Sequence, residues 1–79
     1  MLTFADLSPG ERAEIVGYAK CDRAYRNQLL AMGLTPSARF TVLRRAPLGD
    51  PILIQIHDSQ LSLRINEASI LQLKRVSDE

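Results

Sequence analysis

The apolar residues follow a helical period in one segment of the chain. Tyr25, Leu29 and Met32 recur at spacings of four and three, which places them along one stripe of a helix. Arg26 and Leu30 fall on an adjoining face. The pattern therefore predicts a single helix over roughly 23–32.

Both ends of this helix carry recognisable signals. Asp22 precedes the first helical residue, and its carboxylate can act as an N-cap by accepting unpaired backbone N–H groups. Gly33 follows the last periodic residue and suits the left-handed conformation that ends many helices. Leu34 is then placed to fold back onto the helix.

Elsewhere the apolar positions alternate, which is typical of half-buried strands. Five short strand-like runs are predicted: 13–17, 39–44, 52–57, 61–65 and 70–74. The clearest alternation is in 52–57, where Ile52, Ile54 and Ile56 face inward and Leu53, Gln55 and His57 face outward. Phe40 and Val42 likewise face inward. Turn signals separate the runs, so we predict a mainly β fold, a strongly bent antiparallel sheet or partly closed barrel.

The composition is that of one ordinary folded domain covering residues 1–79. Apolar residues make up 46% of the chain and charged residues 24%, which is typical of globular proteins rather than disordered ones. Neither a membrane-spanning run nor a secretory signal is recognisable, so a cytoplasmic protein without direct membrane insertion is expected. Cys21 is the only cysteine, which excludes an intramolecular disulfide and a cysteine-based zinc site.

The formal net charge of +1 conceals an uneven distribution. Six basic residues in the segment 20–45 oppose only Asp22, giving this segment a charge of +5. Such a segment can form a basic face for a partner, or a solvated surface balanced by neighbouring acids. Both interpretations stay open at this point.

Candidate chemistry is sparse, and we predict that the protein is not an enzyme. His57 is the only histidine, and it has no evident partner for nucleophilic or metal chemistry. No phosphate-binding glycine motif occurs. The aromatic residues are too few to form a stacking row for nucleic acid. We therefore assign no catalytic, cofactor-binding or metal-binding residues.

Surface recognition is the remaining class of function. Leu43 and Leu53 are predicted to face outward on neighbouring strands, where they would form an apolar patch flanked by Arg44 and Arg45. Such a patch is typical of a protein-binding surface. Alternatively, the helix packs over the two leucines and completes the fold.

Three motifs resemble the ferrous iron transport protein A (FeoA) family. Residues 26–36, RNQLLAMGLTP, resemble the family element R-x-x-L-L-x-M-G-L-x-P-G, and residues 44–51, RRAPLGDP, resemble its R-x-A-P-L-G-D-P hairpin. Residues 61–64, LSLR, resemble its L-x-L-R strand, with Glu67 and Ala68 following. Ser37 stands where the family usually has glycine, so a positive φ would be strained there.

The resemblance implies an SH3-like β-barrel of about five antiparallel strands with one inserted α-helix. It implies a cytoplasmic accessory protein of bacterial ferrous iron uptake, membrane-associated only through its partner. That partner would be the FeoB transporter, bound at its cytoplasmic G-protein domain or its membrane region. The same module resembles the C-terminal domain of DtxR-type repressors, so the fold alone does not establish transport.

Our preferred hypothesis is regulation of FeoB by protein–protein contact. The helix end and the hairpin supply the predicted contact residues: Leu30, Met32, Leu34, Arg44, Arg45 and Leu48. Two alternatives are an iron-delivery protein with its own weak metal site and a small nucleic-acid-binding barrel. Self-association and the direction of the regulation stay open.

Overall fold

The computed structural model describes residues 2–20 and 22–76. It contains one 3₁₀ turn, one α-helix and five strands: the turn Phe4–Asp6, β1 Arg12–Tyr18, α1 Arg23–Ala31, β2 Arg39–Arg45, β3 Ile52–Ile56, β4 Ser59–Leu63 and β5 Leu71–Val76. Cys21 lies outside the described residues. None of the described helices is long and apolar enough to cross a bilayer.

All five strands belong to one antiparallel sheet, in the order β4-β3-β2-β1-β5. The helix is inserted between β1 and β2. The molecule is nearly as deep as it is wide, with extents of 31 × 30 × 27 Å. The prediction of a mainly β fold with five antiparallel strands and one helix is confirmed.

The alternation read from the sequence places the core correctly. Ile52, Ile54 and Ile56 are buried, as are Phe40 and Val42, whereas the intervening residues of β3 are partly exposed. These side chains join one cluster with residues from every strand and from α1. The N-terminal turn was not predicted, although Phe4 and Leu7 are fully buried in the same cluster.

The C-terminal end of α1 confirms the predicted stop signal. The helix ends at Ala31, Met32 is its C-cap, and Gly33 has φ of +91°. The Leu34 N–H donates to the Leu29 carbonyl at 3.1 Å, and the Gly33 N–H donates to the Leu30 carbonyl at 3.0 Å. This bonding defines a Schellman motif, and it carries Leu34 back into the core.

The N-terminal end of α1 differs from the prediction. Asp22 is the N-cap, with extended backbone, and its carbonyl accepts the Arg26 N–H at 3.0 Å. Its side chain makes no capping hydrogen bond. The predicted carboxylate cap is therefore wrong, and the backbone alone marks where this helix begins.

Among the residues that the structure describes, two other than glycine have a positive φ, and both lie in turns. His57 has φ of +52° and forms the β3–β4 turn with Asp58. Strand β4 therefore begins at Ser59, two residues earlier than predicted, and the exposed His57 is a turn residue rather than a strand residue. Ser37 has φ of +76°, and its N–H donates to the Ile15 carbonyl at 2.6 Å.

Candidate partner-binding surface

The β2–β3 hairpin holds one apolar side chain out in water. Leu48 at its tip is 97% exposed. Two backbone bonds frame the tip: the Ala46 N–H donates to the Pro51 carbonyl at 3.0 Å, and the Gly49 N–H donates to the Ala46 carbonyl at 2.7 Å. The exposure of Leu48 therefore follows from an ordered turn.

Arg45 fastens this hairpin to the N-terminal segment. Its guanidinium donates to the carbonyl of Gly49 at 3.3 Å, that of Ala5 at 3.2 Å and that of Leu7 at 3.3 Å. Hydrogen bonds from a charged donor contribute more than neutral ones. The structure thus gives the partly buried Arg45 an internal bonding role, while its predicted partner contact stays a prediction.

Asp50 makes a second long-range link from the hairpin. Its Oδ1 accepts the Ile65 N–H at 2.8 Å, which joins the base of the hairpin to the segment after β4. Sequence patterns did not predict this bond, because its two residues are fifteen positions apart. Two charged residues of the RRAPLGDP string therefore brace the fold.

Two depressions meet beside this hairpin. The first, the hairpin groove, has a volume of about 700 Å³ and is lined by Arg44, Arg45, Ala46, Pro47, Pro51, Leu53 and Ser62. The second, the helix groove, has a volume of about 210 Å³ and is lined by Tyr25, Gln28, Leu29, Met32, Ser62, Leu63 and Glu67. Ser62 lines both grooves, so they adjoin along β4.

Besides Arg45, the five other contact residues predicted from the sequence divide into three groups. Leu48 and Arg44 are exposed, and Met32 is partly exposed in the helix groove. Leu30 is partly exposed but lines neither groove. Leu34 has no exposed surface at all, so its side chain cannot reach a partner in this structure.

The predicted leucine patch is present in part. Leu43 is 36% exposed, and Leu53 is partly buried in the hairpin groove. The pairing of β2 with β3 is irregular at Leu43, so that Arg44 rather than Leu43 is paired with Leu53. No described residue of α1 lines the hairpin groove beside Leu53, and the alternative that the helix packs over both leucines stays a prediction.

The helix instead lies beside the end of β4. Tyr25 and Met32 pack against the core while lining the helix groove, as the apolar stripe predicts. The Tyr25 hydroxyl donates to the Glu67 carbonyl, and the Tyr18 hydroxyl donates to the Leu34 carbonyl. The first bond joins α1 to the segment between β4 and β5, and the second joins the residue after the helix end to β1.

The basic segment is only partly neutralised by ion pairs. Arg39 pairs with Glu14 across β1 and β2 at 3.0 Å. The Arg44 side chain makes no hydrogen bond or ion pair within the part of the chain that the structure describes. A positive charge is therefore available at the edge of the hairpin groove.

Two carboxylates are held in the charged form near the N-terminus. The Thr3 N–H donates to Asp6 at 3.0 Å and lowers the pKa of that carboxyl. The Ser8 N–H donates to Glu11 at 2.7 Å and lowers its pKa, with Arg75 assisting. Asp6 and Glu11 line neither groove, so these hydrogen bonds bear on the stability of the fold.

Within residues 2–20 and 22–76, no group of three potential metal ligands converges.

Comparison with known proteins identifies relatives over almost the whole chain. The family described as FeoA domain matches residues 2–75. An Fe(2+) transport protein A/Fe(2+) transporter FeoB fusion protein of Porphyromonas gingivalis is 30% identical over 76 residues, which are 96% of this chain and 9% of the fusion. The chain therefore corresponds to a small part of that relative.

Solved structures agree in fold. The solution structure of the FeoA protein from Chlorobium tepidum is 35% identical and has a TM-score of 0.84, covering 99% of this chain and 73% of that one. A zinc complex of Stenotrophomonas maltophilia FeoA, described as an SH3 domain protein, is 21% identical with a TM-score of 0.77, covering 94% of this chain and 91% of that one. The SH3-like architecture is confirmed, and the chain belongs to the FeoA domain family.

Proposed function

We propose that this chain is a non-enzymatic accessory protein of ferrous iron uptake that docks on the cytoplasmic side of a FeoB-type transporter. The relative in which a similar segment shares one polypeptide with a FeoB transporter supports this most strongly. Covalent linkage raises the effective concentration of one module beside the other. Such a fusion is favoured where the two modules act on each other.

The docking surface in this proposal consists of the hairpin tip and the two grooves. Leu48 is the apolar anchor, because burying a fully exposed leucine contributes about 1.5–3 kcal/mol. Arg44 steers and orients the complex through its available charge. Met32, with Leu30 beside it, extends the apolar contact toward the helix. Arg45 and Leu34 support this surface from within.

Docking changes transport only if it favours one conformation of the transporter over another. The measurable consequence is a shift in the nucleotide cycle of the transporter. We expect the rate of GTP hydrolysis by the transporter to change when this protein is added at saturating concentration. The protein itself supplies no reacting group.

The experiment compares two variants that introduce the same charge at different places. Leu48→Asp alters the hairpin tip, and Val16→Asp alters β1, where Val16 is 50% exposed and lines neither groove. Affinity for the full-length transporter in nanodiscs is measured by biolayer interferometry. We expect Leu48→Asp to weaken binding at least tenfold, about 1.4 kcal/mol, and Val16→Asp to have no effect.

Arg44→Glu tests the electrostatic part of the surface. It should weaken binding most at low salt, because steering by exposed charges is screened as ionic strength rises. Absence of any binding by the unmodified protein would refute the proposal. Equal losses in Leu48→Asp and Val16→Asp would instead refute this surface.

A further inference from the structure

The two edges of the sheet differ in how they are protected. Strand β5 carries Lys74 and Arg75, and Leu2 forms an isolated bridge with Leu73. Strand β4 has the sequence SQLSL, with no charge and no proline, and pairs with β3 without a register shift. Charges, prolines and bulges are the usual means of preventing strand addition. Strand β4 has none of them.

The turn before β4 determines which of its backbone groups face outward. His57 and Asp58 form a two-residue loop, so the flanking pair Ile56–Ser59 exchanges hydrogen bonds within the hairpin. Because the bonding alternates along an antiparallel ladder, Gln60 and Ser62 direct their N–H and C=O groups away from β3. Neither residue has another hydrogen bond within the described ranges.

The outward groups of Ser62 lie where the two grooves meet. Ser62 lines both the hairpin groove and the helix groove. A strand added beside β4 would direct successive side chains to opposite faces of the sheet. One set would enter the helix groove and the alternate set would lie beside the hairpin groove. A partner helix would satisfy neither the backbone groups nor this alternation.

The lining of the grooves defines the chemistry of the added strand. Met32 and Tyr25 supply the partly exposed apolar surface of the helix groove, above the buried Leu29 and Leu63, and its other lining residues are polar: Gln28, Ser62 and Glu67. On the other face, Arg44, Leu53 and Ser62 stand in one cross-strand row. A residue paired with Ser62 extends that row to about 14 Å from Arg44, three strand spacings of about 4.8 Å. An extended arginine and a glutamate together span this distance.

We infer that an extended segment of the partner protein adds to the sheet at β4, through backbone hydrogen bonds to Gln60 and Ser62. Its apolar side chains enter the helix groove, and an acidic side chain on the alternate face meets Arg44. The identity of the partner rests on the proposed function. The mode of binding is strand addition, in which the backbone supplies affinity and the alternating side chains supply specificity.

Residue-resolved hydrogen exchange tests the backbone contact directly. The unmodified protein is exchanged alone and in complex with the full-length transporter in nanodiscs. We expect the Gln60 and Ser62 amides to exchange at least tenfold more slowly in the complex. The Leu61 and Leu63 amides already bond to β3 and should change much less. Binding that leaves the Gln60 and Ser62 amides unprotected would overturn the inference while leaving the proposed function intact.

Variants at Ser62 provide an independent test. Ser62→Pro removes the outward N–H at an edge position that tolerates proline, and Ser62→Lys adds the kind of charge that blocks edges. Both should weaken binding at least tenfold. Ser62→Thr keeps the N–H and the hydroxyl and should bind normally. Asn27→Lys adds the same charge on an exposed helix residue that lines neither groove and should also bind normally.

The outcomes separate the two proposals. If the unmodified protein does not bind, the proposed function fails. If it binds and both Ser62→Pro and Ser62→Lys retain full affinity, strand addition at β4 fails alone. Circular dichroism melting of each variant confirms that a loss of affinity is measured on folded protein.

Discussion

The same substitution, leucine to alanine, should have different consequences for the stability of the fold at Leu34 and at Leu48. Sequence reasoning assigned both residues to the partner surface, yet Leu34 has 0% exposure and Leu48 has 97%. Leu34 is also held at its backbone, where its N–H bonds to Leu29 and its carbonyl accepts the Tyr18 hydroxyl. Leu34→Ala should therefore destabilise the fold, and Leu48→Ala should not.

The expected magnitude follows from the burial of Leu34. The substitution removes three carbon atoms from the core, which costs about 2.4 kcal/mol at about 0.8 kcal/mol for each buried methylene. Incomplete collapse of the resulting cavity raises the cost to about 3 kcal/mol. A chain of 79 residues has a total stability of roughly 4–12 kcal/mol. The midpoint of thermal unfolding should fall by about 12–24 °C.

Thermal and urea unfolding followed by circular dichroism measure both variants under the same conditions. Leu48→Ala should stay within about 0.5 kcal/mol of the unmodified protein. Similar midpoints for the two variants would refute the assignment of Leu34 to the core. The result also decides how binding data are interpreted, because a Leu34 variant weakens any docking indirectly, through a smaller folded population.

Three further predictions concern the elements that frame the surface. Gly33→Ala should lower the free energy of unfolding by about 1–2 kcal/mol, because Gly33 has φ of +91°. Crowding is not the cause, since the nearest atom to an added Cβ is His57 Cδ2 at 3.8 Å. Gly17→Ala, whose Cβ would meet only the flexible Gln72 side chain at 3.0 Å, should cost less in the same urea titration. Arg45→Met should lower the free energy of unfolding by about 1–3 kcal/mol and speed amide exchange in the hairpin, because three carbonyls lose a charged donor. Arg44→Met is the control, and it should change the free energy of unfolding by less than about 0.5 kcal/mol. The pKa values of Asp6 and Glu11 are lowered in the folded protein, which therefore binds fewer protons than the unfolded chain in the acidic range. The resulting contribution to stability is present above pH 4.5, the higher of the two ordinary pKa values. It is lost as the pH falls through the lowered pKa values. Urea midpoints should therefore decrease over that acidic range, and Asp6→Asn should make the decrease shallower; a midpoint independent of pH would contradict the argument.

Local periodicity was sufficient to predict which side chains of β2 and β3 enter the core. In β3, alternate side chains must face opposite sides of the sheet, so Ile52, Ile54 and Ile56 could be assigned to the core without knowledge of their neighbours. The end of α1 was equally local, because Gly33 and Leu34 act on carbonyls within the preceding turn. These two local features were therefore predictable, whereas the equally local side-chain cap at Asp22 is not formed.

Contacts between residues far apart in the sequence were not predictable in this way. Arg45 reaches the carbonyl of Ala5, forty positions earlier, and Asp50 accepts an N–H fifteen positions later. Nothing in the hairpin sequence distinguishes an arginine that braces the fold from one that faces a partner. The start of β4 was misplaced for a local reason, because His57 adopts a positive φ, which is uncommon in residues other than glycine.

The division of roles within the RRAPLGDP string explains why so small a domain can bind by surface contact. Arg45 and Asp50 are used within the molecule, and backbone bonds close the turn between Ala46 and Pro51. The tip is therefore already ordered in the free protein, so docking does not incur the entropic cost of ordering it. Leu48 remains 97% exposed at the tip, and its burial becomes available to a partner as net affinity. A looser hairpin with the same leucine would bind more weakly, which is why Arg45→Met should reduce affinity for the transporter even though Arg45 need not touch it.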